Sequence, residues 1–207
     1  YGGGLELRVW SELAQGSGLG GSSILAGTIL AVLFTVMGYN PPSTRELIHA
    51  TLGVEQLLTT GGGWQDQVGG LIGGIKLGVS FPKIPLVVNT FSIPLTEDLL
   101  TFLNQRLLLV YTGKVQKYMK KIQPQVLGQS LAGAGGGGYL YGLTKNPKDT
   151  LNLNELLHEF NEMKIDKAEV DVDGLIVSVD GKIVMKAGSD SQILTHEISK
   201  SILTHFS

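Results

Sequence analysis

Glycine arrives in this sequence in four clusters set between strongly apolar segments. They are Gly2 to Gly4, Gly16-Ser17-Gly18-Leu19-Gly20-Gly21, the run from Gly61 to Gly78, and Gly133-Ala134-Gly135-Gly136-Gly137-Gly138. In all, 29 of 207 residues are glycine, roughly twice the usual share. Glycine spread evenly describes a flexible linker. Glycine concentrated between apolar runs describes backbone that takes positive φ or comes close to a ligand.

The remaining composition narrows the class. Hydrophobic residues make up 43% and charged residues 16%, which excludes a disordered, collagenous or charge-driven chain and permits a sizeable core. Sixteen basic residues against eighteen acidic ones give a net charge of -2 with no long basic stretch. Electrostatic binding to nucleic acid or to a membrane surface is therefore disfavoured. The absence of cysteine excludes disulfide scaffolds and thiolate metal sites and points to the cytosol. The apolar run Ile24 to Met37 is about 14 residues, short of the ~20 needed to span a bilayer, and has no Lys or Arg flank. It reads as a buried helix, and no targeting segment is evident.

Along the chain, Leu5 to Trp10 alternates apolar and polar residues and predicts a half-buried strand. A helix follows from about Ser22 to Gly38, stopped by Gly38 and Pro41-Pro42. Ser43 and Thr44 with Glu46 open another helix, with Leu47, Ile48, Leu52, Val54, Leu57 and Leu58 as its apolar face. Gly61 to Gly70 reads as a glycine-rich loop. Strands are predicted at Ile75 to Val79, Leu86 to Phe91 and Leu107 to Tyr111, with a short helix from about Glu97 to Asn104. Lys114 to Gln125 is basic and amphipathic, and Tyr139 to Leu143 is an apolar strand. The remainder predicts a helix at 153–163, a hairpin around Asp180-Gly181 and a terminal helix from about Ser191. Mixed strands, helices and hairpins argue an α+β class.

Strand, glycine loop, then helix points backbone N–H groups and a helix dipole at one place, an arrangement suited to phosphate. Three readings compete for Gly16 to Ser23. A Walker A loop requires Gly-Lys-Ser/Thr, and the lysine is missing. A dinucleotide fingerprint is formally matched by Gly16, Gly18 and Gly21, but it needs an acid about 20 residues on, and none stands between Glu12 and Glu46. A plain connecting turn is the third, although it seldom needs four glycines and three serines. The next candidate acids are Glu55 on the second helix and Asp66 in the loop of small residues that follows. A helix carboxylate and a loop carboxylate beside a phosphate loop could divide cation binding and acceptance of a hydroxyl proton between them.

Gly16-Ser17-Gly18-Leu19-Gly20-Gly21-Ser22-Ser23 resembles the ATP-binding motif of the GHMP kinases, and Gly133 to Gly138 resembles that family's C-terminal glycine motif. Within the family, Glu55 to Gln67 (Glu-Gln-Leu-Leu-Thr-Thr-Gly-Gly-Gly-Trp-Gln-Asp-Gln), with the stretch from Gly128 to Gly138, is most similar to the kinase domain of the L-fucose kinase branch, with bacterial heptose kinases as neighbours. The resemblance implies a two-lobed α+β fold: a ribosomal protein S5-like N-lobe, incomplete here, over residues 1–79, and a ferredoxin-like C-lobe over residues 80–207. It implies ATP and Mg²⁺ as cofactors and a sugar as substrate. By position, Gly16, Ser17, Gly18, Leu19, Gly20, Gly21, Ser22 and Ser23 would bind ATP, together with Gly133, Ala134, Gly135, Gly136 and Gly137. Ser22 and Glu55 would hold Mg²⁺, Asp66 would act on the reacting hydroxyl, and Trp64 and Gln65 would contact the sugar. The 11-residue spacing from Glu55 to Asp66 agrees with the family.

Two departures accompany the resemblance. The family's sugar-binding segment would precede Tyr1, and a long helical region would occupy the place of the dozen residues between Lys114 and Gly128. This implies residues missing near Lys114 and Val115, and a piece inactive by itself. The implied activity is transfer of the γ-phosphoryl group to the anomeric hydroxyl of L-fucose. The alternatives are a kinase for another sugar, such as a heptose phosphate or galactose, and a non-catalytic nucleotide-binding domain. Lys76 is a candidate phosphate contact. His49, His158, His196 and His205 lack ligand spacing, Lys114, Lys117, Lys120 and Lys121 read as a solvated face, and the tail after about Lys186 matches nothing in the family.

Overall fold

The structure is a computed structural model and describes residues 3–58, 62–111, 119–120, 122–133, 138–148, 164–195 and 197. The helix expected at 153–163, the residues from Ala134 to Gly137, the expected break at Lys114 and Val115, Lys117, Lys121, and His158, His196 and His205 lie outside the described residues. Lys120 is exposed, as expected of a solvated face.

The first helix, α1 (Gly21–Val36), ends where the sequence says it should. Gly38 takes φ +74°, and the N–H groups of Gly38 and Tyr39 reach back to Thr35 O and Phe34 O at 3.1 Å each. With the Phe34 and Tyr39 rings in edge contact at 6.1 Å, this is a Schellman stop with its usual apolar clasp. Helix α2 (Thr44–Leu58) opens on a capping box. Ser43 N–H and Oγ–H both donate to Glu46 Oε2 at 2.8 Å, and Glu46 N–H returns to Ser43 Oγ at 3.3 Å. Those two donations from Ser43, side chain first, hold the Glu46 carboxyl below its usual range. Leu47, Ile48 and Leu52 of its expected apolar face are buried, but Leu57 and Leu58 are exposed.

Two expectations fail here. Residues 65–71 form a helix, α3 (Gln65–Leu71), rather than a loop. A side chain at Gly70 would lie 2.5 Å from Ile24 Cγ1, and one at Gly27 would lie 2.5 Å from Leu71 Cδ2. These glycines let α1 and α3 pack closely, so here glycine marks helix contact rather than a loop. Leu5 to Trp10 forms no strand and is exposed, with Trp10 81% accessible. The alternation is real, but among the described residues no strand supplies it with a hydrogen-bonding ladder.

The chain forms two compact units, interleaved along the sequence. The first contains the residues to Trp10, Ser22–Leu95 and those from Asp171; the second contains Ser11–Gly21 and Thr96–Val170. In the first unit, β1 (Ile75–Ser80) pairs antiparallel with β2 (Val88–Ile93), and β2 pairs on its other side, in parallel, with β9 (Gln192–Ile193). The expected hairpin is present as β7 (Ile176–Val179) and β8 (Lys182–Lys186), with Asp180 and Gly181 at positive φ as such a turn demands. Its Val177 and Met185 pack with Ala31, Leu47 and Leu71. A second cluster joins Ile48, Val68, Ile72 and Val88.

The tail has a place in this unit. Thr44 N–H donates to Asp190 Oδ2 at 3.0 Å, its hydroxyl donates to Asp190 Oδ1, and Gly188 N–H donates to Thr44 Oγ1 at 2.8 Å. Residues 192–193 are strand where a helix was expected to begin.

The second unit is a four-stranded antiparallel sheet ordered β4 (Val126–Leu131), β5 (Tyr139–Thr144), β3 (Leu107–Tyr111), β6 (Lys164–Lys167). Helix α4 (Glu97–Asn104), capped by Thr96 Oγ1, precedes β3, and Val110, Ile122, Val126 and Leu140 form this unit's core. No helix among the described residues is long and apolar enough to cross a membrane.

Candidate active site

In the first unit, α2 presents Glu55 to the start of α1. Ser22 Oγ–H donates to Glu55 Oε1 at 2.6 Å, and Ser23 Oγ–H donates to Oε2 at 2.7 Å. Gln67 Nε2–H, from α3, donates to the same Oε2. Hydrogen bonds to an ionised carboxylate are short and strong, and here they join α1, α2 and α3 at one side chain. Asp66, in the first turn of α3, is half-buried. Burial, and after it the negative charge of Glu55, raises the Asp66 carboxyl above its usual range. The sequence-predicted residues Ser22, Glu55 and Asp66 are thus brought together, while Ser23, grouped by its motif with ATP, is 1% exposed and turned onto Glu55.

Mg²⁺ takes oxygen ligands and is held by one or two carboxylates, with phosphates and water completing its shell. The oxygens of Ser22 and Glu55 fit such an ion, and the charge of Glu55 felt at Asp66 is what a cation would offset. No group of three or more His, Cys, Asp or Glu residues stands close enough to hold a metal by itself among the described residues. The set thus suits an ion that phosphate helps to bind.

The glycine loop is built in the second unit. Gly16, Gly18 and Gly20 all take positive φ. Ser17 is buried, its Oγ accepts from Leu19 N–H at 3.4 Å, and its carbonyl accepts from Tyr139 N–H at 3.1 Å. A side chain at Gly18 would lie 2.6 Å from Ala132 O, and one at Gly133 would lie 3.0 Å from Gly18 Cα. The two glycine motifs, far apart in sequence, lie directly against each other. The N–H groups of Gly18, Gly20 and Gly21 take no partner among the described residues, and the chain runs from them straight into α1, whose first turn carries no acidic residue. Backbone of this kind can receive the phosphates of a nucleotide.

Trp64 packs over Gly78, its indole N–H donates to Ser80 Oγ at 2.9 Å, and it lies partly buried against Ile48, Val68, Ile72 and Val88. Gln65 is exposed. Lys76 donates to Ile72 O, and burial lowers its ammonium pKa while Asp171 partly opposes this. His49 Nε2 accepts from Val88 N–H at 3.1 Å, a packed histidine. Sequence reading missed Gln67, fully buried beside Glu55; the signal available was an amide in the middle of an apolar helix face.

Residues 1–74 match the GHMP kinases N terminal domain. The chain is similar to a bifunctional fucokinase/GDP-fucose pyrophosphorylase of Arabidopsis thaliana, 42% identical over 113 residues, covering 55% of this chain and 11% of that protein. It is also similar to an L-fucokinase/L-fucose-1-P guanylyltransferase of Bacteroides fragilis, 31% identical over 229 residues, covering 77% of this chain and 24% of that protein. It therefore spans about a tenth and a quarter of the lengths of these relatives. A proposed sugar kinase from Campylobacter jejuni, solved at 2.4 Å, shares the fold with a TM-score of 0.59 and 17% identity over 78% of this chain and 65% of that one.

Proposed function

We propose that this chain, whose residues 1–74 belong to the GHMP kinase N-terminal domain family and which is fucokinase-like within it, is the phosphotransfer part of an ATP-dependent sugar kinase with L-fucose as acceptor. The observation that carries this reading is Glu55, held by the Ser22 and Ser23 hydroxyls beside Asp66. A domain that only bound nucleotide would have no use for a second, half-buried carboxyl there.

Each part has a task. The loop from Gly16 to Gly21 and the first turn of α1 offer N–H groups to the nucleotide phosphates. Ser22 Oγ and Glu55 would hold Mg²⁺, which when bound supplies neutralisation of charge on the transferring phosphoryl group. Asp66 orients the attacking hydroxyl and accepts its proton as the new O–P bond forms. The bond between the γ-phosphorus and the β-phosphate oxygen breaks, and ADP leaves with that electron pair. A raised carboxyl pKa makes Asp66 a better proton acceptor. The anomeric hydroxyl of L-fucose as the reacting group, and the cytosol as compartment, complete the proposal; the relatives named for fucokinase activity support the sugar.

The test is Asp66→Asn in the full-length protein. Turnover should fall by orders of magnitude while nucleotide affinity stays within a few-fold. Turnover close to wild type would remove Asp66 from the chemistry.

A further inference from the structure

Gln67 is an unusual residue for its position. Its side chain is fully buried; its Nε2–H donates to Glu55 Oε2, while its own Oε1 is buried with no hydrogen-bond partner among the described residues. A buried amide with one group unsatisfied is a poor choice for stability alone, because an apolar side chain of the same volume carries no such penalty. What Gln67 provides and an apolar residue cannot is an N–H at the Glu55 carboxylate.

Ser22, Ser23 and Gln67 are all neutral, so each of these three donors can orient Glu55 without offsetting its charge. Two of them, Ser23 and Gln67, converge on Oε2 and are themselves buried. The partner of Oε1 is Ser22, which is exposed. One oxygen of the carboxylate thus meets two buried donors, and the other meets the hydroxyl of an exposed serine.

From this we infer that Gln67 is a positioning residue for the divalent cation: it fixes the rotamer of Glu55 through Oε2, so that Oε1 and the Ser22 hydroxyl face the ion together. Residues that orient a metal ligand in this way are typically worth about 10- to 100-fold in metal affinity. Its neighbour in sequence, Asp66, faces another direction, since successive residues on a helix lie about 100° apart. One short helix thus carries both the proton acceptor and the clamp on the proposed metal ligand. This inference rests on the kinase reading above.

The experiment uses Gln67→Met in the full-length protein, which keeps the volume and removes the donor. Mn²⁺ binding in the presence of ADP is followed by electron paramagnetic resonance, with no turnover needed. The expected result is Mn²⁺ affinity weakened about tenfold or more, while metal-free ADP affinity stays within twofold and the metal-free melting temperature is unchanged or higher. A merely structural residue would lower the melting temperature and leave the Mn²⁺ affinity of the folded protein alone. Gln67→Asn, which keeps the amide but withdraws it by one methylene, gives a second variant should the first not fold, with the same expected loss. Mn²⁺ affinity unchanged in a folded variant overturns the inference while leaving the kinase reading intact. Wild-type protein that binds ADP but no Mn²⁺ overturns both.

Discussion

Gly16 and Gly18 share a backbone angle, φ +75° at each, but not an environment. A Cβ at Gly16 would meet nothing within 4 Å, whereas at Gly18 it would lie 2.6 Å from Ala132 O. Gly16→Ala should therefore cost only the left-handed penalty, about 1–2 kcal/mol. Gly18→Ala carries the same penalty plus a clash that cannot relax cheaply. Ala132 is buried and its N–H is bonded to Tyr139 O at 2.9 Å, so its backbone is held in place. Overpacking of this kind adds roughly 1–3 kcal/mol, for a total of about 2–5 kcal/mol. The assay is amide hydrogen exchange at Tyr139, whose N–H donates to Ser17 O and so reads the loop locally, supported by denaturant midpoints. Gly18→Ala should deprotect Tyr139 far more than Gly16→Ala does. Equal losses at the two positions would refute the claim that the glycine motifs stabilise one another by close contact.

Two further predictions concern α2 and its neighbours. Gly53 lies inside α2 with open space around it, so Gly53→Ala should stabilise by roughly 0.5–1 kcal/mol, whereas Gly27→Ala should destabilise, since fully buried Leu71 occupies the space; thermal midpoints of opposite sign check this. Glu46 has a folded-state pKa below its unfolded value because Ser43 donates to it, so its contribution is present above the unfolded pKa and lost as pH falls through the folded one; the urea midpoint of wild type should drop more steeply than that of Ser43→Ala below about pH 5, and parallel curves would contradict this.

The legible parts of the sequence were those governed by local chemistry. The stop at Gly38, the Ser43 and Glu46 box, the Asp180-Gly181 turn and helix α4 all follow from residues within a few positions of one another. The failures have tertiary causes. Gly70 looks like a loop residue until Ile24 of α1 needs its space. Strand β4 hides because a bulge between Val126 and Gly128 breaks its alternation. Leu5 to Trp10 has the pattern of a strand without a partner among the described residues. For the candidate site, Ser22, Glu55 and Asp66 stood out because motif spacing marks chemistry, but Gln67 did not, since its role depends on where α3 packs against α2. Trp64, conspicuous in the motif, is occupied by Gly78 and Ser80.

The proposed role of Asp66 and the Glu55 cluster in transferring a phosphoryl group to a sugar hydroxyl is put to the test by coupled ADP release from the full-length protein, with Mg²⁺ and a panel of free sugars. Release should depend on the sugar, show its highest kcat/KM with L-fucose, and be abolished by Asp66→Asn. Nucleotide binding without ADP release for any sugar in the panel would contradict it.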